Sequence, residues 1–165
     1  MWNPGFEYLE CRPAVLQGYH RVFAMFSTRY RGTAQKPGLV LSLAPGGTCR
    51  GVVFRMETAH RDEIWEQLDR REWEGRAHRR VWAPVRLEDG NSPCLCPVQT
   101  YVPVSSFSNY IPGIPLRRQA ELIVSGRGER GPSLEYLLSL VGELNRHQMR
   151  EPEIEKLHRE TLALL

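Results

Sequence analysis

The strand-rich part of the chain is set by the apolar, partly alternating stretch Val15-Leu16-Gln17-Gly18-Tyr19-His20-Arg21-Val22-Phe23-Ala24-Met25-Phe26. Alternation of this kind is typical of a β-strand with one buried face. Two further strands are predicted at residues 38–43 and 51–55. Because Pro45-Gly46-Gly47 between them carries turn chemistry, we expect these two strands to form a hairpin.

A second hairpin and a set of helices are predicted in the rest of the chain. The hairpin joins residues 81–87 to residues 97–102 through the turn sequence Glu88-Asp89-Gly90-Asn91. Apolar side chains recur with the helical period at residues 59–73, 116–125, 133–144 and 152–164, where Ser133 is predicted as an N-cap and Pro152 as a first-turn residue. Strands followed by helices in one chain predict a single α+β domain, residues 1–165, with a small mixed β-sheet or barrel flanked by helices.

Composition favours a globular protein of the cytoplasm. Hydrophobic residues make up 41% and charged residues 25% of the chain, close to the average for soluble domains. No apolar run reaches the roughly 18 to 20 residues of a membrane span, and the opening Met1-Trp2-Asn3-Pro4-Gly5 lacks the regions of a signal peptide. We therefore expect reduced thiols at the four cysteines, Cys11, Cys49, Cys94 and Cys96. Cys94-Leu95-Cys96 has no second ligand pair after it, so no metal site is predicted.

One stretch of the chain is rich in arginine, and the net charge is +3 with His neutral. The arginines in it are Arg70, Arg71, Arg76, Arg79, Arg80 and Arg86. Such a cluster is compatible with a solvated face, a pocket for an anionic ligand or a nucleic-acid surface. Glu72, Glu74 and Glu88 dilute the positive field, so we predict no nucleic-acid partner. The lack of an apolar run long enough for a membrane span predicts no membrane partner.

A glycine-rich loop precedes the predicted helix at Ser133. Its sequence, Gly126-Arg127-Gly128-Glu129-Arg130-Gly131, has the spacing of a dinucleotide-binding loop, but it follows a predicted helix rather than a strand. We expect instead that its backbone packs closely against a ligand or a neighbouring helix. The sequence contains no nucleophile elbow, and its five histidines lack metal-ligand spacing.

A set of short motifs runs through most of the chain in a fixed order. Leu68-Asp69-Arg70-Arg71-Glu72 ends a predicted helix. The other motifs are Met1-Trp2-Asn3-Pro4-Gly5-Phe6, Gly18-Tyr19-His20-Arg21-Val22-Phe23, Ser27-Thr28-Arg29-Tyr30-Arg31-Gly32-Thr33 with Lys36-Pro37-Gly38-Leu39-Val40-Leu41, Cys49-Arg50-Gly51-Val52-Val53-Phe54-Arg55, Gly128-Glu129-Arg130-Gly131 and Glu135-Tyr136-Leu137. In order and spacing they resemble the ChaC-type γ-glutamylcyclotransferase family.

The resemblance implies a γ-glutamylcyclotransferase-like fold and the cleavage of glutathione to 5-oxoproline and Cys-Gly. In this reaction the α-amine of the γ-glutamyl group attacks its own γ-carbonyl. Because both groups belong to one molecule, the enzyme mainly holds a near-attack rotamer and moves a proton, so neither a metal nor a cofactor is implied. Glu72 matches the family's catalytic acid and base; the alternative is a surface charge at a helix end.

The resemblance also implies substrate-binding residues for glutathione or another γ-glutamyl peptide. Trp2, Asn3 and Pro4 are expected to shape the pocket floor. Arg31 is expected to bind a substrate carboxylate, since a guanidinium can pair with it through two parallel hydrogen bonds. Tyr136 matches a pocket-lining tyrosine of the family, with an aromatic of the helix stripe as the alternative.

The chain departs from the family pattern at two places. Family members carry a strand and a Tyr-Gly-Ser-Leu turn before the Trp-Asn-Pro segment, whereas this sequence begins at Met1, which predicts an N-terminally truncated domain. The turn supplies N–H groups that hold the γ-glutamyl moiety. Either an internal methionine is taken here as the start, or the protein is truly shortened. The second case predicts weak or absent turnover, and a non-catalytic binding module for γ-glutamyl compounds or acidic metabolites is then the alternative function. Near the third helix, Pro132-Ser133-Leu134 stands where relatives carry a further Gly-x-Asn.

Overall fold

A computed structural model describes residues 4–72, 77–88 and 95–165 of the chain. Its strands are β1 (Glu10–Ser27), β2 (Gly38–Arg55), β3 (His78–Leu87), β4 (Leu95–Pro103), β5 (Arg127–Gly128) and β6 (Gly131–Pro132). Its α-helices are α1 (Arg61–Glu72), α2 (Leu116–Ser125), α3 (Ser133–Arg146) and α4 (Pro152–Leu162), with a 3₁₀ turn at Thr58–His60. These elements confirm the predicted α+β class. No helix in the described part of the chain is long and apolar enough to span a membrane.

The chain divides into two compact units. The first unit contains the described residues of Met1–His20 and Leu43–Val104, and the second contains Arg21–Ser42 and Ser105–Leu165. Strands β1 and β2 therefore each contribute residues to both units. The first unit holds α1, β3 and β4, and the second holds α2, α3 and α4.

The main sheet has the strand order β2-β1-β3-β4. Strand β3 pairs antiparallel with β1, from Ala14↔Leu87 to Leu16↔Val85. It also pairs antiparallel with β4, from His78↔Pro103 to Arg86↔Leu95, which confirms the predicted second hairpin. Ala83 and Val85 of β3 are buried, and Pro84 between them is exposed on the other face, as a period of two requires. Residues 89–91 of the predicted turn lie outside the described residues.

The hairpin predicted within residues 38–55 is wrong, because this segment forms one continuous strand, β2. Gly46 and Gly47 lie in the middle of β2 at φ values of +93° and +69°, a region that glycine enters without steric cost. The ring Nδ1 of His20, in its N–H tautomer, donates to the carbonyl oxygen of Gly46 at 3.0 Å. Turn residues here give a local irregularity in the strand and do not reverse its direction.

The core of the second unit consists of the apolar stripes of its helices. Ala120, Ile123, Leu137 and Leu157 are almost wholly buried, as the helical period predicted. Leu138, an apolar residue of the helix predicted at residues 133–144, is instead exposed. A smaller cluster joins Ala24 and Met25 of β1 to Tyr110, with Val22, Val40 and Phe107 packed against it.

Ser133 does not act as the N-cap of α3, so that prediction is wrong. The N-cap position is Pro132, and Ser133 is the first helical residue. Its hydroxyl accepts a hydrogen bond from the N–H of Leu39 at 3.0 Å and donates one to the carbonyl of Leu39 at 2.8 Å. Since Ser133 has 0% exposure, this side chain satisfies two backbone groups of β2 that water does not reach.

Ser133→Ala is expected to lower the free energy of unfolding by about 2 to 3 kcal/mol, because it leaves both polar groups of Leu39 without the hydroxyl. Urea denaturation followed by circular dichroism measures this change. Ser139→Ala, at an exposed position of the same helix, is the matched control and should change stability by no more than about 0.5 kcal/mol. Equal stability of the two variants would contradict the prediction.

Candidate active site

Glu72 is the last residue of α1 in the first unit. Asp62 and Glu63 in the first turn, with Arg70 and Arg71 in the last turn, complement the helix dipole and favour helix formation here. The side chain of Glu72 is 28% exposed, whereas Glu66 and Arg70 of the same helix are 65% and 76% exposed. Glu72 is therefore half sheltered, unlike the charged side chains on the outer face of the helix.

Arg71 contacts both Glu72 and the opening segment of the chain. Its Nε donates to Glu72 Oε1 at 2.8 Å, and its Nη1 donates to the carbonyl of Pro4 at 2.8 Å. Gln67 Nε2 donates to the carbonyl of Gly5 at 3.0 Å, one helical turn earlier. The structure thus brings the predicted pocket residue Pro4 and Glu72 to the same guanidinium. Trp2 and Asn3, the other predicted residues of the pocket floor, lie outside the described residues.

A second group of polar side chains surrounds the last turn of α1, and sequence reasoning missed it. Tyr101 of β4 donates its hydroxyl to Asp69 Oδ1 at 2.5 Å, and Arg80 Nη1 of β3 lies 3.5 Å from Asp69 Oδ2. The Arg80 guanidinium also stacks over the Trp65 ring at 4.7 Å from its centroid. His78 Nδ1 lies 3.3 Å from the backbone carbonyl oxygen of Glu72.

The pKa of Tyr101 is raised above its ordinary value of 10.0. Burial is the largest cause, followed by the hydrogen bond to Asp69 and the negative charge of Asp69. The charge of Glu72 adds in the same direction, while that of Arg80 opposes it. The Tyr101 hydroxyl therefore lies within electrostatic reach of both carboxylates of this helix face.

This shift predicts how stability changes at alkaline pH. A phenol with a raised pKa in the folded state contributes stability that is fully present below the unfolded value of about 10 and is lost as pH rises above it. We expect the free energy of unfolding to fall less steeply above about pH 10 in Tyr101→Phe than in the wild type. Urea denaturation at a series of pH values from about 8 to 11 measures the two slopes, and parallel curves would contradict the prediction.

Arg31 and Tyr136 lie together in the second unit. The guanidinium of Arg31 is 5.8 Å from the centroid of the Tyr136 ring, and the ring of Tyr136 also meets Phe23 edge to face at 6.1 Å. Arg31 Nη1 donates to the carbonyl of Pro132 at 3.1 Å and lies 3.6 Å from Glu135 Oε2. The guanidinium therefore already has a carboxylate neighbour, and this neighbour is well exposed, so a ligand carboxylate would compete with it.

Glycines place the loop that carries Arg31. A Cβ on Gly126 would lie 2.4 Å from the Cα of Gly38, and a Cβ on Gly128 would lie 2.3 Å from the carbonyl oxygen of Arg29. A Cβ on Gly32 would lie 2.0 Å from the nitrogen of Gly38. The close backbone packing predicted for the loop at residues 126–131 is confirmed. Gly126 and Gly128 lie against the residues around Arg31, and a Cβ on Gly131 would lie 2.7 Å from Glu135 Oε2 of α3.

Most of the clustered arginines in the described residues have carboxylate neighbours. Arg70 pairs with Glu66 at 2.5 Å, Arg71 with Glu72 at 2.8 Å, Arg80 with Asp69 at 3.5 Å and Arg86 with Glu88 at 4.0 Å. Arg76 and Cys94 lie outside the described residues. Individual ion pairs therefore reduce the positive field of this stretch, as the composition predicted.

Comparison with known proteins gives a consistent result. Residues 1–163 match the family model described as "ChaC-like protein". The chain is 30% identical over 151 residues to the glutathione-specific gamma-glutamylcyclotransferase of Escherichia coli, with 92% of this chain and 64% of that protein covered. It is 32% identical over 174 residues to the Schizosaccharomyces pombe protein of the same name, with 96% and 83% covered. The chain thus spans 64% of the length of the E. coli relative.

A solved structure supports the fold. The crystal structure of a γ-glutamylcyclotransferase specific to glutathione from yeast superposes with a TM-score of 0.82 and covers 94% of this chain and 89% of that chain. The two sequences are 19% identical over the superposed residues, so this likeness concerns the arrangement of strands and helices.

Proposed function

The chain belongs to the ChaC-like family, and on that premise we propose that it cleaves glutathione to 5-oxoproline and Cys-Gly. The observation that carries the proposal is the half-sheltered carboxylate of Glu72, at the end of α1, in a chain whose curated relatives are named glutathione-specific γ-glutamylcyclotransferases. The proposal places the protein in the cytoplasm, where thiols stay reduced, with a small-molecule substrate as its partner.

Glu72 is proposed to act as the general base and then the general acid. It takes a proton from the α-ammonium of the γ-glutamyl group, and the freed amine attacks the γ-carbonyl carbon to close a five-membered lactam. The bond from this carbon to the cysteinyl nitrogen breaks, and Glu72 returns a proton to that nitrogen. Glu72 makes this transfer twice, because from reactant to products the attacking nitrogen loses two protons and the cysteinyl nitrogen gains two; the reaction then balances with neither water nor a cofactor.

Positioning accounts for much of the rate in such a reaction. Nucleophile and electrophile are parts of one substrate, so the protein gains most by holding the γ-glutamyl chain in its folded-back rotamer. Arg31 and Tyr136 are proposed to contact substrate carboxylate and polar groups, and Pro4, with Trp2 and Asn3 before it, to shape the pocket. The proposal for Arg31 is supported by the distance of 3.6 Å between its Nη1 and Glu135 Oε2, because a guanidinium with one carboxylate neighbour has room for a carboxylate at this position.

The proposal is tested by incubating the purified chain with glutathione and measuring 5-oxoproline and Cys-Gly by mass spectrometry. Both products should appear in equal amounts. Glutathione acetylated on its α-amine is the matched control substrate, because it keeps the scissile bond and lacks the nucleophile, and it should give neither product. γ-Glutamyl peptides with another residue in place of cysteine then define the substrate class.

The alternative function is a binding module for γ-glutamyl compounds or acidic metabolites. The observation that favours it is the ion pair of Glu72 with Arg71, which engages one carboxylate oxygen. Binding of glutathione in calorimetry without release of 5-oxoproline would support this alternative and contradict the proposed enzyme activity.

A further inference from the structure

The last turn of α1 presents two carboxylates to the same side of the helix. Asp69 and Glu72 are three residues apart, a spacing that makes side chains neighbours on a helix surface. Glu72 ends the helix, where backbone hydrogen bonds from a following turn are lacking and fraying is easiest. The direction of the Glu72 side chain therefore depends on what holds this turn in place.

The β3–β4 hairpin supplies the contacts that hold this turn. Arg80 and Tyr101 are directly opposite each other in the hairpin register, and both reach Asp69. Residues directly opposite each other on two paired strands have their side chains on the same face of the sheet. The hairpin therefore presents a guanidinium and a phenol together to one carboxylate. On the same strand, His78 lies at hydrogen-bonding distance from the Glu72 carbonyl oxygen.

Arg80 is itself held in place from the helix side. Its guanidinium stacks on Trp65, which lies four residues before Asp69 on α1, and Arg61 stacks on the same ring at 4.9 Å. Asp69 thus accepts a hydrogen bond from Tyr101 on Oδ1 and has the Arg80 guanidinium as an ion-pair neighbour 3.5 Å from Oδ2, and the sheet places these two residues side by side. These contacts tie the last turn of α1 to the β3–β4 hairpin.

We propose that Tyr101 is a positioning residue for Glu72, because its hydrogen bond to Asp69, next to the Arg80 contact, fixes the turn of α1 that aims the Glu72 carboxylate. The inference rests on the proposed function. Tyr101 does not exchange a proton with the substrate in this account, and its effect reaches the reaction through the backbone of α1. A misplacement of about 1 Å in a reacting group can lower a rate about 100-fold, so a small shift of this turn is enough.

The test compares Tyr101→Phe with Tyr8→Phe, which removes a hydroxyl from a half-exposed ring of the same unit that packs on Phe54. We expect Tyr101→Phe to lower kcat for 5-oxoproline release about 10- to 100-fold with KM changed less than about 3-fold, and Tyr8→Phe to change neither. Hydrogen exchange at the amides of residues 70–72 should be faster in Tyr101→Phe than in Tyr8→Phe. This second measurement needs no catalytic activity.

Two substitutions at Asp69 test the same hydrogen bond from its other partner, and they differ in how much of the acceptor they keep. Asp69→Asn keeps an oxygen that accepts from Tyr101, whereas Asp69→Ala removes it, so Asn should retain more of the wild-type kcat than Ala. Adding Tyr101→Phe to Asp69→Ala should cause no further loss, since both changes remove the same hydrogen bond. A double variant whose losses multiply would overturn the proposal.

The remaining outcomes separate this inference from the proposed function. An active wild-type chain whose Tyr101→Phe variant keeps full kcat, or shows unchanged hydrogen exchange at residues 70–72, would overturn the positioning role and leave the proposed function standing. A wild-type chain that releases no 5-oxoproline would overturn the proposed function, and the inference about catalysis would fall with it. In that case the hydrogen-exchange comparison would still show whether Tyr101 holds the turn.

Discussion

Glu72→Gln is expected to lower kcat for the release of 5-oxoproline from glutathione by about 100- to 10,000-fold. The amide keeps the size of the side chain and can still accept a hydrogen bond from Arg71, but it can neither take the proton of the α-ammonium nor return it. Because the substitution removes proton transfer rather than substrate contacts, KM should change by less than about 3-fold. Steady-state kinetics with mass-spectrometric detection of 5-oxoproline give both parameters.

The same helix offers a matched control for this variant. Glu66→Gln makes the same chemical change six residues earlier, at a side chain that is 65% exposed and paired with Arg70. It should leave kcat within about 2-fold of the wild type, since an exposed ion pair contributes little. A Glu72→Gln variant as active as Glu66→Gln would show that Glu72 is a surface charge at a helix end and would remove the basis of the proposed mechanism.

The sequence predicted those parts of the fold in which local pattern and tertiary structure agree. Helix α2 has the predicted bounds, Leu116–Ser125, and β3 and β4 pair as the strand and turn signals indicated. The pattern failed at Gly46-Gly47, because two glycines at positive φ are compatible with a reversal of the chain as well as with an irregularity inside a long strand. Only pairing with a neighbouring strand decides between these, and pairing is not visible in a single sequence.

The residues of the candidate site that belong to a family motif could be predicted from the sequence. The contacts that depend on the three-dimensional structure could not. Glu72, Arg31 and Tyr136 were found through family motifs, and their roles stay predictions. The contact between Asp69 and Tyr101 could not be found, because it forms only in the register that places Arg80 opposite Tyr101. The spacing of Asp69 and Glu72 on one helix was a usable signal, since three residues bring two carboxylates to one face.

At Ser133 the local sequence pattern predicted the start of the helix correctly and the role of the hydroxyl wrongly. Its type and position, after a proline and before an apolar stripe, are typical of an N-cap. The helix does begin there, but the hydroxyl bonds Leu39, which lies 94 residues away in the chain. The buried N–H and C=O groups of Leu39 compete with the start of the helix for the same hydroxyl, and this competition depends on tertiary structure.

Gly128→Ala is expected to lower the free energy of unfolding by at least about 4 kcal/mol. The added Cβ would lie 2.3 Å from the carbonyl oxygen of Arg29 and 2.6 Å from the nitrogen of Gly32. Both are backbone atoms, so no side chain can rotate away to relieve the contact. The loops are joined at the same point by hydrogen bonds from Glu129 N to Arg29 O and from Arg130 N to Tyr30 O, each 2.9 Å, which separation of the backbones would break.

Gly142→Ala is the matched control, because it adds the same methyl group where nothing lies within 4 Å, at an exposed position inside α3. It should raise the free energy of unfolding by about 0.5 to 1 kcal/mol, since alanine favours a helix interior over glycine. Thermal melts should then place Gly128→Ala at least about 8 °C below the wild type and Gly142→Ala slightly above it. If both variants melted at the wild-type temperature, the loop at residues 126–131 would not be in backbone contact with residues 29–32. The placement of Arg31 by this packing would then be wrong.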